Sequence, residues 1–594
     1  MRTIGSRLCA VAAAAAIGIA GLWWVTAGTF HLLRGWNFGN VYEAQTESLL
    51  AGHADISCDL ATGEAFVRDG KCYIYFGPVP GLIRLPVLWL RPGWTGQLSG
   101  GMVWVAQLAF LFAIGLILAS AGHAFGTSTS TFYLLLTAFG STIPNMWGWP
   151  TTWVEALSWA VALSACSLAC LIRWAQGGRG AWLGVAGLFA MLAFFTRIST
   201  GTGPMLAILV AVLVDWRRRP QRRSAAIFAG LILGLSFYLY VALNHARMGT
   251  YLNAVPIHLH VKYDAERLAR IGGTLLHPEK GWAILLNYLL DLPRFRSGFP
   301  WLEYQPGIML KLTGMDFVDL HAGVLPTMPA LLWLAWAGWR SAKAKSVLWL
   351  LLSPLAGITL LVIVAAIAQR YVHEFLLLLA PAGAYGVTWA LETRSRRWVT
   401  FILAGWSIYA CSALALVEQR EVMYWVSQDA LDRYCDTRAK IDRGPRRQTN
   451  DIERVRLPQT GSTYEFDGSK WNRCAGPPAH QVRIQFRFAN LPDAAVTLVE
   501  IGNPGEAETF KLEPGAAPGR YRVRMDHSGL ASAVGTEFEL TSQRNYLFDF
   551  QLERMRRRVV VTLDGVPVGQ RETGLVEWPE TQVTIGQHGR WLPE

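Results

Sequence analysis

Charge is what this 594-residue chain has least of. Asp, Glu, Lys and Arg make up only 16% of it, against 52% hydrophobic residues and a mean hydropathy of +0.26. So few charges cannot cover the surface of soluble domains of this length, which excludes an ordinary cytosolic enzyme. Cysteine is scarce too, with eight residues and neither a Cys-x-x-Cys pair nor a His cluster, which removes the usual zinc motifs. No internal repeat is visible.

Apolar sequence is what the chain has in abundance. Runs of about 16 to 22 mostly apolar residues, the length a crossing helix needs, lie near 8–29, 101–121, 131–147, 154–172, 181–196, 200–215, 225–243, 321–339, 347–368, 374–391 and 398–418. The expected fold is a polytopic α-helical membrane protein with about eleven spans. Arg2 and Arg7 precede an alanine-rich core, as in a signal peptide. The run continues through "GLWWVTAGTF" without a small-residue cleavage site, so an uncleaved anchor is expected.

Basic residues are retained on the cytoplasmic side of short loops. With a cytoplasmic N-terminus, the inner loops read "HAFGTSTS", "RWAQGGRG", "RRRPQRRS", "RSAKAKS" and "ETRSRRW", and four of the five are basic. These loops hold much of the net charge of +12, which therefore implies no nucleic acid partner. The same parity puts 30–100, the Trp-rich turn at 147–153, 245–320 and everything after 419 outside an inner (cytoplasmic) membrane. One apolar run breaks the rule. "LIRLPVLWL" follows the polar and aromatic stretch "DGKCYIYFGPVPG", is interrupted by Arg84 and Pro86, and would invert every later loop if it crossed. It is expected to be re-entrant or interfacial.

The chain thus divides into a membrane domain at 1–420, with exterior loops 30–100 and 245–320, a linker at 421–465 and a periplasmic domain at 466–594. In the last, "QVRIQFRF" alternates apolar and polar residues, "RRVVVTLDGVPVGQR" carries an Asp-Gly hairpin signal, and a β-sandwich is expected. Its segments "FDGSKW", "RYRVRMDHSG" and "VVVTLDG" resemble laminin-G or concanavalin-like jelly rolls, a resemblance that implies carbohydrate binding; a spacer packing on the membrane part is the alternative. The exterior cysteines suggest two disulfides by proximity, Cys58 with Cys72 and Cys435 with Cys474. The segment "GWAILLNYLLDLPRFRSGFPW" reads as an interfacial amphipathic helix that could line a lipid entry groove.

Polar residues at span ends are costly and often functional. On the exterior side these are Glu43 and Glu47, one turn apart in "NVYEAQTESLLAGHADI", then Asp69, Lys71, Tyr73 and Tyr75, Glu155 in "WPTTWVEAL", Arg197 in "FFTRIST", His245 and Arg247 in "ALNHARMGT", and Arg370, Tyr371, His373 and Glu374 in "AQRYVHEF". This layout resembles the GT-C class of membrane glycosyltransferases. The resemblance covers the membrane region and rests on "YEAQTESLLAGH", "DGKCYIYFGPVPGLIRLP", "NHARMGT" and "QRYVHEF". It implies a polyprenyl-phosphate sugar as donor and a glycan or lipid as acceptor. The class normally places its catalytic acid just after the first span, shortly before a Tyr; here Trp36 to Tyr42 contains no acid, so that residue has no counterpart.

Phosphate is already a good leaving group, so one carboxylate that accepts the acceptor's proton is sufficient, in contrast to the paired acids of hydrolases. Asp69 and Glu43 rank first for that role, with Glu155 third because it could instead pair with an Arg. For the phosphate, Arg247 and Arg370 rank first, then Arg197, with His245, His373 and Lys71 assisting; interfacial snorkelling or an ion pair is the alternative for each Arg. Tyr42, Tyr73, Tyr75, Trp147 and Trp149 are candidates for holding the sugar, though an interfacial aromatic belt also accounts for the tryptophans. A divalent cation (Mg, Mn or Ca) sharing the phosphate's charge is compatible with this chemistry, and His258 and His260 in "IHLH" offer at most two ligands. Two further classes stay open: a transporter or flippase for a lipid-linked saccharide, which should show paired repeats or broken helices with charges at the midplane, and a non-catalytic envelope assembly protein.

Overall fold

A computed structural model describes residues 15–33, 39–61, 64–124, 126–218, 220–253, 255–261, 263, 265–304, 317–318, 321–364, 366–422, 426, 428–442, 452–456, 463–466, 481–488, 491–501, 508–527, 532–542, 544–553, 558–572 and 583–585. Helix α1 (Val41–Leu50) leads to a hairpin of β1 (Phe66–Arg68) and β2 (Lys71–Tyr73), then to α2 (Val79–Leu90). The bundle follows: α3 (Ser99–Ser120), α4 (Thr152–Ala175), α5 (Ala181–Thr196), α6 (Ile198–Arg218), α7 (Arg223–Met248), α8 (Pro329–Arg340), α9 (Gln369–Glu392) and α10 (Arg394–Val417).

Among the described residues, seven segments are long and apolar enough to cross a bilayer: α3, α4, α6, α7, the broken helix Lys343–Val362, α9 and α10. Three other expected spans, 131–147, 181–196 and 321–339, are shorter helices, and 8–29 is described only from residue 15. Residues 131–147 divide into Ser128–Phe139 and Ile143–Gly148 around Gly140, and 321–339 divides into Val324–Thr327 and α8 at Pro329. A 12-residue helix such as α8 rises only about 18 Å, short of the roughly 30 Å hydrocarbon core. The run "LIRLPVLWL" forms most of α2, also 12 residues long.

Helix α4 is the centre of the bundle: 94% of its apolar window is buried, against 22% for α7. Thr151 caps its start, and Glu155 in the first turn meets the positive end of the helix dipole. Helices α3, α5 and α6 pack around α4, while α8 packs on α9.

Beyond the bundle, the expected linker contains helix α11 (Gln428–Asp442) and a hairpin of Ile452–Arg456 with Thr463–Phe466. The C-terminal region forms two antiparallel sheets. One orders its strands Ala533–Val534, Arg520–His527, Glu508–Pro514, Val496–Ile501 and Val583–Ile585; the other orders Val566–Glu572, Arg558–Leu563, Asn545–Glu553 and Gln481–Arg487. Inward residues of both, including Phe510 and Phe550 with ring centroids 4.6 Å apart, make one core. Asp564 and Gly565, both at positive φ, turn the hairpin between Arg558–Leu563 and Val566–Glu572.

The Gly-Pro-x-Pro-Gly stretch is a packing device. A Cβ on Gly77 would lie 1.7 Å from the Phe195 carbonyl oxygen at the end of α5, and one on Gly81 would lie 2.0 Å from Thr46 Oγ1 and 2.5 Å from the Tyr42 carbonyl oxygen of α1. Glycine at both positions lets α2 touch α1 and α5 backbone to side. Gly77→Ala is therefore expected to destabilise the fold by about 3 kcal/mol or more and Gly81→Ala by somewhat less, because its nearest backbone atom, the Tyr42 carbonyl oxygen, lies at 2.5 Å rather than 1.7 Å. Thermal unfolding of the purified protein measures this, and unchanged melting of Gly77→Ala would refute the contact.

Candidate active site at the α1 end of the bundle

Two ionic clusters meet where α1 and α2 cover the bundle. The first is built on Arg84, the residue that interrupts the apolar run "LIRLPVLWL". The side chain is fully buried. Its Nη1 donates to Glu43 Oε1 at 2.6 Å and to the Gly39 carbonyl at 2.8 Å, its Nε donates to Glu155 Oε1 at 3.0 Å, and its Nη2 donates to Ser99 Oγ at 2.7 Å and to Glu155 Oε2. Arg84 also lies over the Tyr42 ring, 5.2 Å from its centroid. Both Glu155 oxygens are thus engaged by one guanidinium. Glu43 differs: Oε1 takes Arg84 and the Gly96 N–H, while Oε2 is buried without a hydrogen-bond partner among the described residues. Glu47, expected to share its face, is exposed.

The second cluster lies on the ends of α5 and α9. Arg197 Nε donates to Glu374 Oε1 at 2.8 Å. Arg197 and Arg370 both lie against Tyr371, at 4.8 and 5.0 Å from its ring centroid, and Arg370 also lies over Trp149 at 5.2 Å.

Residues 75–77 join the two clusters to α7. The Phe76 carbonyl accepts from Arg247 Nη1 at 3.0 Å and from Gln45 Nε2 of α1 at 2.8 Å, and the Phe76 ring packs on Tyr42 and Tyr75. Arg247 is buried, and its Nε and Nη2 have no hydrogen-bond partner among the described residues. The Tyr42 hydroxyl donates to the Thr152 carbonyl at 2.9 Å. Burial, with Glu155 next, pushes the Tyr42 phenol well above its ordinary value, and burial with Glu64 does the same for Tyr75, so both remain neutral donors.

The remaining candidates lie elsewhere. Asp69 sits at the hairpin tip at positive φ, its side chain 85% exposed and 3.4 Å from Arg68. Lys71 is exposed and faces Asp55 at 3.5 Å. His245 is exposed and stacks on Tyr251. His373 is buried in the bundle, Nδ1 on Thr142 Oγ1 at 2.8 Å and Nε2 on Gln107 at 3.1 Å, so both ring nitrogens are committed. Tyr73 packs with Phe66 and Met248, and Trp147 is fully buried near Phe139. Cys58 and Cys72 form a disulfide; the proposed Cys435 and Cys474 pairing lies outside the described residues.

Among the described residues no three His, Cys, Asp or Glu side chains gather, and Glu43, Glu155 and Glu374 each already face a guanidinium. His258 is exposed, while His260 is buried beside Phe66 with Glu64 3.9 Å away.

No family model matches the chain, and no curated protein matches it. Solved structures do. The apo oligosaccharyltransferase of Archaeoglobus fulgidus is 13% identical over 70% of this chain and 56% of that one, with a TM-score of 0.42. The oligosaccharyltransferase AglB of the same organism, in complex with an inhibitory peptide and a dolichol-phosphate, is 13% identical over 73% of this chain and 58% of that one, at 0.38. Apo ArnT from Cupriavidus metallidurans is 16% identical over 68% of this chain and 63% of that one, at 0.36. These are GT-C glycosyltransferases, and the chain spans less than two thirds of the length of each.

The Arg84 cluster holds two carboxylates with one cation. Arg84→Met removes that cation and is expected to lower stability by about 3–5 kcal/mol, read as a lower melting temperature. Adding Glu43→Gln and Glu155→Gln should restore much of the loss; a single Arg84→Met with unchanged melting would contradict the cluster's role.

Proposed function

We propose that this chain is a membrane glycosyltransferase that moves a sugar from a polyprenyl-phosphate donor to a glycan or lipid acceptor on the extracytoplasmic side. The observation that carries the reading is the presence, among the described residues, of a buried carboxylate oxygen, Glu43 Oε2, and two buried guanidinium nitrogens, Arg247 Nε and Nη2, with no hydrogen-bond partner. Such buried groups are costly unless something satisfies them.

The chemistry assigns each a part. Arg247 takes the donor phosphate, with Arg197 and Arg370 along the same wall. An acceptor hydroxyl attacks the anomeric carbon, the bond from that carbon to the phosphate oxygen breaks, and polyprenyl phosphate leaves with the electron pair. Glu43 Oε2 receives the hydroxyl proton, and the single displacement inverts the anomeric centre. Arg84 fixes Glu43 through Oε1, which aims Oε2, and Glu155 serves as the counter-ion that keeps Arg84 in place. Asp69 has no such setting, because water screens an exposed carboxylate at a turn. Tyr75 is half-buried beside Arg197 and Tyr371.

Lys and Arg bias in the loops puts this end outside the inner membrane, with the N-terminus cytoplasmic and the C-terminal sandwich periplasmic. Membrane-impermeant thiol labelling of Asp69→Cys in intact spheroplasts is expected to be strong, and a cysteine in the 217–223 loop should be protected; the reverse pattern would invert the topology.

Glu43→Gln is expected to lower transfer by about 10²–10⁴-fold, whereas Asp69→Asn should retain it. Glycan analysis of cells complemented with each variant at equal expression decides, and full product with Glu43→Gln would remove Glu43 as the base.

A further inference from the structure

The β1–β2 hairpin is connected to Arg247 twice. Arg68 on β1 extends to the last turn of α7, where Nη1 donates to the His245 carbonyl and Nη2 to the Ala246 carbonyl, each at 3.2 Å. These two carbonyls belong to the terminal turn of α7, where the His245 oxygen also accepts the capping Gly249 N–H at 3.0 Å, and a cation there meets the negative end of the helix dipole. The strand opposite, β2, runs on through Ile74 and Tyr75 to Phe76, whose carbonyl accepts from Arg247 Nη1 at 3.0 Å. One short segment therefore fixes the backbone on the N-terminal side of Arg247 and also the side chain of Arg247.

The hairpin is itself well braced. The Cys58–Cys72 disulfide ties β2 to the preceding turn. Asp69 and Gly70, both at positive φ, make the tight turn that sets Arg68 opposite Lys71. Phe66 stacks edge-on against His260 with centroids 4.7 Å apart, Arg68 lies over the Tyr73 ring at 5.2 Å, and Phe66, Tyr73 and Met248 share one apolar cluster. A Cβ on Gly249, which ends α7 at φ +71, would lie 3.1 Å from Arg68 Nη1, so that glycine leaves room for the guanidinium.

We infer that the disulfide-stapled hairpin positions the phosphate-binding guanidinium of Arg247, with Arg68 as the positioning residue that clamps the end of α7. This rests on the reading of Arg247 as the donor-phosphate site. Arg68 itself does not touch the phosphate; it acts through Arg247 by holding two successive carbonyls with a planar fork. A lysine reaches one carbonyl at a time, so it supplies the charge without the clamp. The exposed Asp69 carboxylate near Arg68 plays a minor part, since exposed ion pairs contribute little.

The test is a double-mutant cycle on the full-length chain in lipid nanodiscs, with farnesyl phosphate as probe and binding read by calorimetry. Melting temperatures are measured first, and Arg247→Lys replaces Arg247→Ala in the cycle where the latter does not fold. Arg68→Ala is expected to weaken farnesyl phosphate binding about tenfold, Arg68→Lys by less, and the Cys58→Ser/Cys72→Ser pair in the same direction. Arg68→Ala combined with Arg247→Ala should bind no more weakly than Arg247→Ala alone, because a residue that acts only through another adds nothing once that other is gone. Hydrogen exchange at 245–249 should quicken in Arg68→Ala. Unchanged affinity in Arg68→Ala, or losses that add in the double variant, would overturn the positioning role. If wild-type protein ignores farnesyl phosphate, or Arg247→Ala binds it as well as wild type, the phosphate reading itself falls.

Discussion

The rest of the site depends on one buried guanidinium. Arg84 stands in an otherwise apolar helix and meets carboxylates from α1 and α4, the serine that begins α3, and the backbone before α1. Taking such a charge out of water is expensive unless every donor is used. Here the donors are used, and three separate segments, 39–43, the start of α3 and the start of α4, are held by doing so. The cluster sets two carboxylates against one guanidinium, and the proposed reaction assigns Glu43 as its base.

The stretch "DGKCYIYFGPVPG" then serves four purposes in thirteen residues. Asp69 and Gly70 turn a hairpin, Cys72 staples it, Tyr75 and Phe76 stand between Arg247 and the Arg197 cluster, and Gly77 and Gly81 let α2 approach closely enough for Arg84 to reach its partners. Because α2 is too short to cross, it can lie across the end of the bundle and present a charge inward, which a spanning helix in lipid could not do at this cost.

The membrane class and the C-terminal strands were legible from the sequence because both rest on periodicity and composition, which survive without knowledge of contacts. Span number was less so: runs at 131–147 and 321–339 are apolar throughout, but Gly140 and Pro329 divide them into pieces shorter than the hydrocarbon core. At the site, sequence position brought Glu43, Glu155, Arg197, Arg247 and Arg370 to one end, since span ends and parity determine that much. It could not rank them. Asp69 drew notice from the density of its neighbours in sequence, whereas burial, which only folding creates, distinguishes Glu43. Arg84 carried the clearest available signal, a charge inside a short apolar run, and its interruption of a span masked its role as a partner. The possibility that Glu155 pairs with an Arg was visible; the identity of that Arg, 71 positions away, was not.

The central claim is that a lipid-linked sugar is consumed at this end of the bundle. Its most direct test is the lipid-linked sugar profile of cells lacking the chain, compared with the same cells complemented by the wild-type sequence. Accumulation of one polyprenyl-phosphate sugar, reversed on complementation, is the result the account predicts. An identical profile with and without the chain would contradict it.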